Sequence, residues 1–477
     1  MVQAELGTGS LRRADGLAKR EPPPSTDPAV RKLHELSQVS GTSMFRFLGA
    51  LERSSDPAIE ALYGYGHRYT DRLARVQAND DHALFLRVPG ADAGNGKDLV
   101  LVQANTWAAK ERATNPSKGL LNEDATLVVP FGNGRLLAAV FDGASSRRPI
   151  PGLATAEFEV SGAWYVSHLA SLDFIHSPEY GNLLRNPNIE AKDIMATLND
   201  WLKGKLRKIK GVSYEDVIYI PGMAATIALI DYTRQQISIA HVADTMAVAE
   251  YDTDFSVLTD DKNFQWDEMK RRLEDELVQE EVAKGMHATR VTVKDDPRVK
   301  THLEQTYRAK INSRPLGTGI LNGQTELVTN NLIYADVIPI PTEGGLKLHL
   351  VSDGVYTVWM GRESQHDLRT GARKLLGALD NPISYPGNTL WEVASRINLD
   401  PEGLVLGRAS DDSSRVSIVV KEGDNSEEAR KFKTENNRLL LRDSAEFIMA
   451  HIKHEAETSR PLADFATSRI EYLGLPR

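Results

Sequence analysis

Leu136-Leu-Ala-Ala-Val-Phe-Asp-Gly143 decides the reading of this chain: six apolar residues in a row, stopped by an acid and a glycine. A short unbroken apolar run bounded by turn residues fits a strand buried on both faces. The same arrangement recurs. Leu348-His-Leu-Val-Ser352 runs into Asp353-Gly354, and Ile237-Ser-Ile-Ala-His-Val-Ala243 runs into Asp244. Asp411-Asp412 shortly precedes Val416-Ser-Ile-Val-Val420, and Asn122-Glu123-Asp124 precedes Thr126-Leu-Val-Val129. Taken singly, an Asp-Gly after a strand is most often a turn, and an acidic pair before one is a solvated loop. Repetition changes the reading. A carboxylate at the tip of a core strand is held rigidly yet reaches solvent, which suits a hard divalent cation. Glycine after two of these acids lets the backbone approach closely, and its carbonyl is itself a candidate ligand.

Outward from these strand ends, short β-rich runs cover Leu99–Gln103, Thr126–Val129, Leu136–Phe141, Thr226–Asp231, Gln236–Val242, Met246–Tyr251, Lys347–Ser352 and Arg415–Val420. Tight connections such as Asp231-Tyr-Thr-Arg-Gln235 predict antiparallel hairpins. Helical patterns fall at roughly 161–174, 189–207, 265–285, 362–379 and 388–397. The third of these carries opposite charges at three- and four-residue spacing, the mark of a solvated helix face. Hairpins grouped between helices predict an α+β architecture rather than a parallel βαβ repeat.

The flanks differ in texture. Residues 1–27 are polar and rich in Gly and Pro, and read as a disordered leader. Residues 28–95 read as a helical N-terminal extension, with Val30, Leu33 and Leu36 on one stripe and Ile59, Leu62 and Tyr63 starting another. The domain proper spans 97–422. A helical tail covers 423–477, with Ala445, Phe447, Ile448 and Ile452 as its buried residues.

Bulk composition excludes several classes. With 41% hydrophobic and 26% charged residues, the chain is of ordinary globular type. The absence of cysteine rules out disulfides, thiolate metal sites and a cysteine nucleophile, and fits a cytoplasmic protein. A net charge of −9 argues against a nucleic-acid partner. No apolar run approaches the roughly 20 residues of a membrane span.

In order along the chain, the acidic segments resemble the type 2C, metal-dependent (PPM) family of serine/threonine protein phosphatases. Asn122-Glu-Asp-Ala125 is similar to the family's first acidic motif in its bacterial form, and Val140-Phe-Asp-Gly143 to its Asp-Gly motif. Pro221-Gly-Met-Ala-Ala-Thr-Ile-Ala-Leu229 resembles the small-residue stretch that opens the central hairpin. Ile239-Ala-His-Val-Ala-Asp-Thr-Met-Ala-Val248 resembles the Asn-Val-Gly-Asp-Ser-Arg segment, and Leu258-Thr-Asp-Asp-Lys262 the Leu-Thr-x-Asp-His element. Leu350-Val-Ser-Asp-Gly-Val355 and Asp411-Asp-Ser-Ser414 are similar to the last two metal motifs.

The resemblance implies a four-layer α-β-β-α sandwich of two antiparallel sheets with helices on both outer faces. It implies two Mg²⁺ or Mn²⁺ ions, with Asp142 bridging both and Asp353 and Asp411 completing one shell. Glu123 or Asp124, with the Gly143 carbonyl, would serve the other ion, and Asp244 a third, weaker site. Asp142, Asp353 and Asp411 would thus carry catalysis: hydrolysis of phosphoserine or phosphothreonine in a phosphorylated protein substrate. Two ions about 3.5–4 Å apart hold a shared hydroxide and stabilise attacking and leaving oxygens.

Three departures stand out. Asp142-Gly-Ala-Ser-Ser146 replaces the family's Asp-Gly-His-Gly-Gly, so Ala144 cannot act as a general acid. The family's phosphate-gripping arginine is missing at its usual place, leaving Lys118, Arg147 and Arg148 as candidate phosphate contacts. Lys262 stands where the family has histidine. These departures keep two rivals open: a catalytically weak or silent relative acting as a binding module, and a hydrolase of a small phosphorylated metabolite. His241 reads as a packed strand residue, and His168 and His176, eight residues apart, lack the three- or four-residue spacing at which two helical histidines share a metal. The N-terminal helices are candidates for packing against the core or for binding a regulatory partner.

Overall fold

The computed structural model describes the chain between residues 76 and 438, apart from 79–82, 89, 92–98, 108–122, 133, 145–160, 210–211, 213–219, 261, 263, 294–295, 303–309, 315–317, 361–367, 381–411, 424–425 and 437. The strands are β1 (Val76–Ala78), β2 (Ala83–Arg87), β3 (Leu99–Trp107), β4 (Ala125–Pro130), β5 (Arg135–Ala144), β6 (Gly222–Asp231), β7 (Gln236–Val242), β8 (Met246–Tyr251), β9 (Phe255–Val257), β10 (Tyr334–Pro339), β11 (Leu346–Val351) and β12 (Ser413–Lys421). They form a seven-stranded sheet in the order β1-β2-β3-β12-β11-β8-β9 and a five-stranded sheet in the order β10-β7-β6-β5-β4. Neighbours within each sheet run antiparallel, as in the central β5–β6 and β11–β12 pairs.

The β5 run is continuously apolar because both of its faces are covered. Leu136, Ala138 and Val140 point between the sheets, where they meet Ala249, Leu348, Val416 and Ile418 of the larger sheet. Leu137, Ala139 and Phe141 point the other way, into a core built with helices α1 (Gly162–Leu172), α2 (Pro178–Arg185) and α3 (Ala191–Leu206). These helices start where the sequence supplies caps. Ser161 and Ser177 accept N–H groups from the first turns of α1 and α2, and Glu190 with Asp193 closes a capping box on α3.

Helix α4 (Phe264–Ala283) is the expected charged helix, with an Arg272–Glu268 pair at 2.6 Å on its solvated side. Its Leu277 packs on the short helices α5 (Arg290–Val293) and α6 (Pro297–Thr301) through Val293 and Val299. After α7 (Glu326–Thr329) and β10–β11, helices α8 (Asp353–Met360) and α9 (Leu368–Asp380) cover the outer face of the larger sheet. There Val355, Tyr356, Leu375 and Leu376 meet Val248, Phe255 and Val351. The four layers are those of the expected α-β-β-α sandwich.

The β6–β7 hairpin also forms where Asp231-Tyr-Thr-Arg-Gln235 predicts it. Asp231 Oδ1 accepts the Thr233 and Arg234 N–H groups at 3.0 and 2.9 Å, and Gln235 takes φ 53°. Four strands differ from the reading. β1 and β2 extend the larger sheet back to residue 76, ahead of the expected domain start at 97, and β9 and β10 had no separate signal. Residues 427–436 are helical. The leader, the extension up to residue 75, the 388–397 pattern and the four buried residues named for the tail lie outside the described residues. No helix among the described residues is long and apolar enough to cross a membrane.

Candidate metal centre

The acids meet at one end of the sandwich, where strands of both sheets finish. β4 begins at Ala125, opposite Phe141, but β5 runs on through Asp142, Gly143 and Ala144 because β6 still offers Ala224, Met223 and Gly222 as partners. The expectation that the strand stops at Phe141 is corrected here: Asp142-Gly143 is ladder, not turn. Strand alternation then places Asp142 on the face of Leu136, Ala138 and Val140, towards the other sheet, and Gly143 on the face towards α1.

Continuing the β4–β5 register past Ala125 sets Asp124 opposite Asp142 and Glu123 opposite Gly143. The contacts agree. A Cβ added at Gly143 would stand 2.7 Å from the Glu123 carbonyl oxygen, 2.9 Å from its Cβ and 3.0 Å from the Ala163 carbonyl carbon. Only glycine fits there.

From the larger sheet, the Ser352 N–H donates to Ser414 O at 2.9 Å and the Ser414 N–H to Ser352 Oγ at 2.8 Å, locking the end of β11 to the start of β12. Asp353 follows Ser352 and opens α8; Asp353-Gly354 is therefore a helix start rather than a turn. Its charge sits where the positive end of a helix dipole favours it. Asp412, just before β12, accepts the Glu123 N–H at 2.6 Å, a bond that crosses from one sheet to the other. Asp412 is a buried acid at this end that sequence reasoning did not single out.

Asp124, Asp412, Asp353 and Glu123 are 1%, 2%, 5% and 9% exposed, and Asp142 is half-buried. Ionised carboxylates collected out of water are costly unless something of opposite charge or a set of donors meets them. Asp244 lies in the turn after β7, beside Ala243 at φ 64°. That turn is at the same end, because Ala243 packs with Ala224 and Ala144. The Lys262 N–H donates to Ala243 O at 2.9 Å, while its amine pairs with Asp260 at 2.9 Å and lies 4.1 Å from the centre of the Tyr334 ring. Ala144, where the family has its histidine, packs in a small apolar cluster with Ile311 and Ile320.

The nearby histidine is structural, as its strand position suggested. His241 Nε2 donates to Asp260 O at 2.7 Å, and Nδ1 faces Thr226 Oγ1 at 3.2 Å. Burial, only partly opposed by the bond to Asp260, holds its pKa down to about 4, so it is neutral near pH 7. Likewise His168 Nδ1 donates to Trp164 O at 2.9 Å within α1, and burial pushes its pKa down to about 3. Neither belongs to the acidic cluster.

Glu123, Asp124, Asp142, Gly143, Asp353 and Asp244 are thus brought to one end of the fold. Asp411, Lys118, Arg147 and Arg148 lie outside the described residues. Among the described residues, no three Asp, Glu or His groups close round a single point as ligands of one ion would.

The family model for protein phosphatase 2C matches residues 113–380, more than half of the chain. The chain belongs to the protein phosphatase 2C family. Among solved structures, the serine/threonine phosphatase PstP/Ppp of Mycobacterium tuberculosis is similar at 16% identity, over 68% of this chain and 99% of that one, with a TM-score of 0.35. The serine/threonine phosphatase Stp1 of Staphylococcus aureus is similar at 16% identity, over 70% and 96%, with a TM-score of 0.36. The catalytic domain of PstP in complex with 2 manganese ions matches at 16% identity over 67% and 97%, with a TM-score of 0.35. No curated protein matches the chain. Within this phosphatase 2C member the family match takes in Glu123, Asp124, Asp142, Gly143, Asp244 and Asp353, and ends before Asp411.

Proposed function

We propose that this phosphatase 2C member hydrolyses phosphoserine and phosphothreonine in proteins, with two Mg²⁺ or Mn²⁺ ions held at the acidic end of its sandwich. One observation carries the reading: the β4–β5 register sets Asp124 opposite Asp142, while Asp353 and Asp412 reach the same end from the other sheet. Like charges set directly across a ladder repel, and a divalent cation turns that repulsion into attraction. All the donors are carboxylates or a backbone carbonyl, hard oxygen ligands of the kind Mg²⁺ and Mn²⁺ take. Asp142 would be shared between the ions. Asp353 and Asp411 would serve one of them, Glu123 or Asp124 with the Gly143 carbonyl the other, and Asp244 a third, weaker site. When bound, the ions would activate the attacking water and neutralise charge on the phosphoryl oxygens.

The protein's own part is to hold these carboxylates on strand ends and helix starts that cannot rotate away. Ala144 offers no proton, so the leaving hydroxyl would be protonated by water rather than by a residue at that position. Lys118, Arg147 and Arg148 remain the proposed contacts for substrate phosphate. A Lys there would act as a point charge, without the two-pronged grip of arginine.

The test is phosphate release from a phosphothreonine peptide with Mn²⁺ and with EDTA, for wild type and Asp142→Ala. Metal-dependent release lost by at least about 100-fold in the variant is expected, since removing a shared ligand removes charge stabilisation worth several kcal/mol. A silent, partner-binding relative is the second reading, favoured by the methyl group of Ala144 in the histidine's place. Wild type that binds Mn²⁺ in calorimetry yet releases no phosphate from peptide or small ester would favour it. Turnover of the small ester alone would point to a metabolite hydrolase instead.

A further inference from the structure

Glu123 is held at three points, one by the start of β12 and two by helix α1 and its cap. Its N–H donates to Asp412 at the start of β12. Its carbonyl accepts the hydroxyl of Ser167 on α1, at 2.5 Å. Its side chain accepts, at Oε1, the hydroxyl of Ser161. Ser161 is also the N-cap of α1, and its oxygen accepts the Trp164 N–H at 3.0 Å. An N-cap uses only the acceptor side of a hydroxyl. The proton is therefore left over, and here it goes to the carboxylate. One side chain joins the first turn of an eleven-residue helix to the acid that precedes β4.

We infer that Ser161 is a positioning residue for Glu123: it fixes the rotation of that carboxylate and so sets the direction in which it presents itself to a cation. The inference rests on the cation reading proposed above. The terminal torsion of a glutamate is broad and nearly free, so without an anchor the carboxylate would have to be ordered when the ion binds. Tying Oε1 to a helix cap does that ordering in advance. The cap is itself rigid, because Gly143 and the second residue of α1, Ala163, leave no gap between strand and helix. Donors that orient a metal-binding side chain change metal affinity by about 10–100-fold when removed.

Full-length wild type, Ser161→Thr, Ser161→Gly and Glu123→Gln, and the Ser161→Gly/Glu123→Gln double variant, are titrated with Mn²⁺ in calorimetry. Circular dichroism checks the fold of each. Glycine is a tolerated N-cap and threonine a good one, so the glycine variant removes the donor while leaving the helix capable of starting. Mn²⁺ affinity should fall about 10-fold or more in Ser161→Gly and stay near wild type in Ser161→Thr. In the Glu123→Gln background the glycine substitution should add little, because the residue it acts through has already been changed. A folded Ser161→Gly that binds Mn²⁺ like wild type overturns the inference. So does an equal loss in the presence and absence of Glu123, which would make the effect a general loosening of α1. Wild type that binds no Mn²⁺ at all would instead remove the cation reading on which the inference rests.

Discussion

At the scale of single residues, the most informative contact is the one the sequence could not announce. Asp411 and Asp412 are adjacent acids before a strand, and nothing in their order says which one turns inwards. Asp412 is buried, and its carboxylate accepts the Glu123 N–H across the seam between the two sheets. Removing the acceptor leaves a buried donor without its partner, and the full desolvation cost of that group then appears. Asp412→Ala should therefore lose about 1–3 kcal/mol in urea denaturation, whereas Asp412→Asn, whose side-chain oxygen can still accept, should lose less than half as much. Equal losses in the two variants would mean that the charge of Asp412, not its hydrogen bond, is what the fold uses. Other residues were legible earlier. Asp142, Asp353 and Asp244 each close a strongly apolar run, so their places at strand ends followed from the run itself. What periodicity could not supply was their local form: Asp142 continues a ladder because β6 outlasts β4, and Asp353 opens a helix whose first turn is closed by the Ser352 carbonyl accepting the Val355 N–H.

At the scale of elements, legibility follows burial. The eight strands read from the sequence have faces that pack on helices or on the opposite sheet, and their apolar pattern is the imprint of that packing. β10 left no such imprint: it is exposed at nearly every position and, among the described residues, is an edge strand paired with β7. β9 is three residues long, too short for a period to show. Burial of polar groups inside these elements sets the acid response. His168 in α1 and His241 in β7 are both held neutral by burial, at about 3 and about 4, against about 6.5 for the same group in the unfolded chain. The folded pKa lies below the unfolded one, so their stabilising contribution is complete above about pH 6.5. It shrinks as the pH falls towards 4, because the unfolded chain takes up protons that the fold refuses. Each histidine should lower stability by on the order of 1 kcal/mol per pH unit in that window. Urea midpoints at pH 7 and pH 5 test this. His241→Gln keeps a donor for the Asp260 carbonyl and an acceptor for Thr226, and it should narrow the difference between the two pH values. A variant with an unchanged difference would show that His241 is not part of the acid response.

At the scale of the whole molecule, the two sheets are joined by different forces along their length. Through most of the sandwich the join is apolar, with Leu136, Val140, Leu348 and Val416 meeting between them. At the end where β4 and β12 begin and β5 and β11 finish, the join is acidic: Asp124 and Asp142 on one side, Asp353 and Asp412 on the other, bridged by the hydrogen bond from Glu123. An apolar join needs no partner, but gathered carboxylates are costly beyond what hydrogen-bond donors offset, and cations relieve that cost. The metal-free chain should therefore be weakest at this end, and ions that bind only the folded form should stabilise it by mass action. Mn²⁺ at a hundred times its dissociation constant should raise the unfolding free energy by about 2.7 kcal/mol over EDTA-treated protein. Asp142→Asn should abolish most of that gain. The substitution also removes one of the repelling charges, so the EDTA-treated variant should be at least as stable as EDTA-treated wild type. Chemical denaturation of both proteins in both conditions separates the two effects. If Asp142→Asn is less stable without metal and gains as much from Mn²⁺ as wild type, the acids at this end are held by the protein's own donors, and the cation belongs elsewhere.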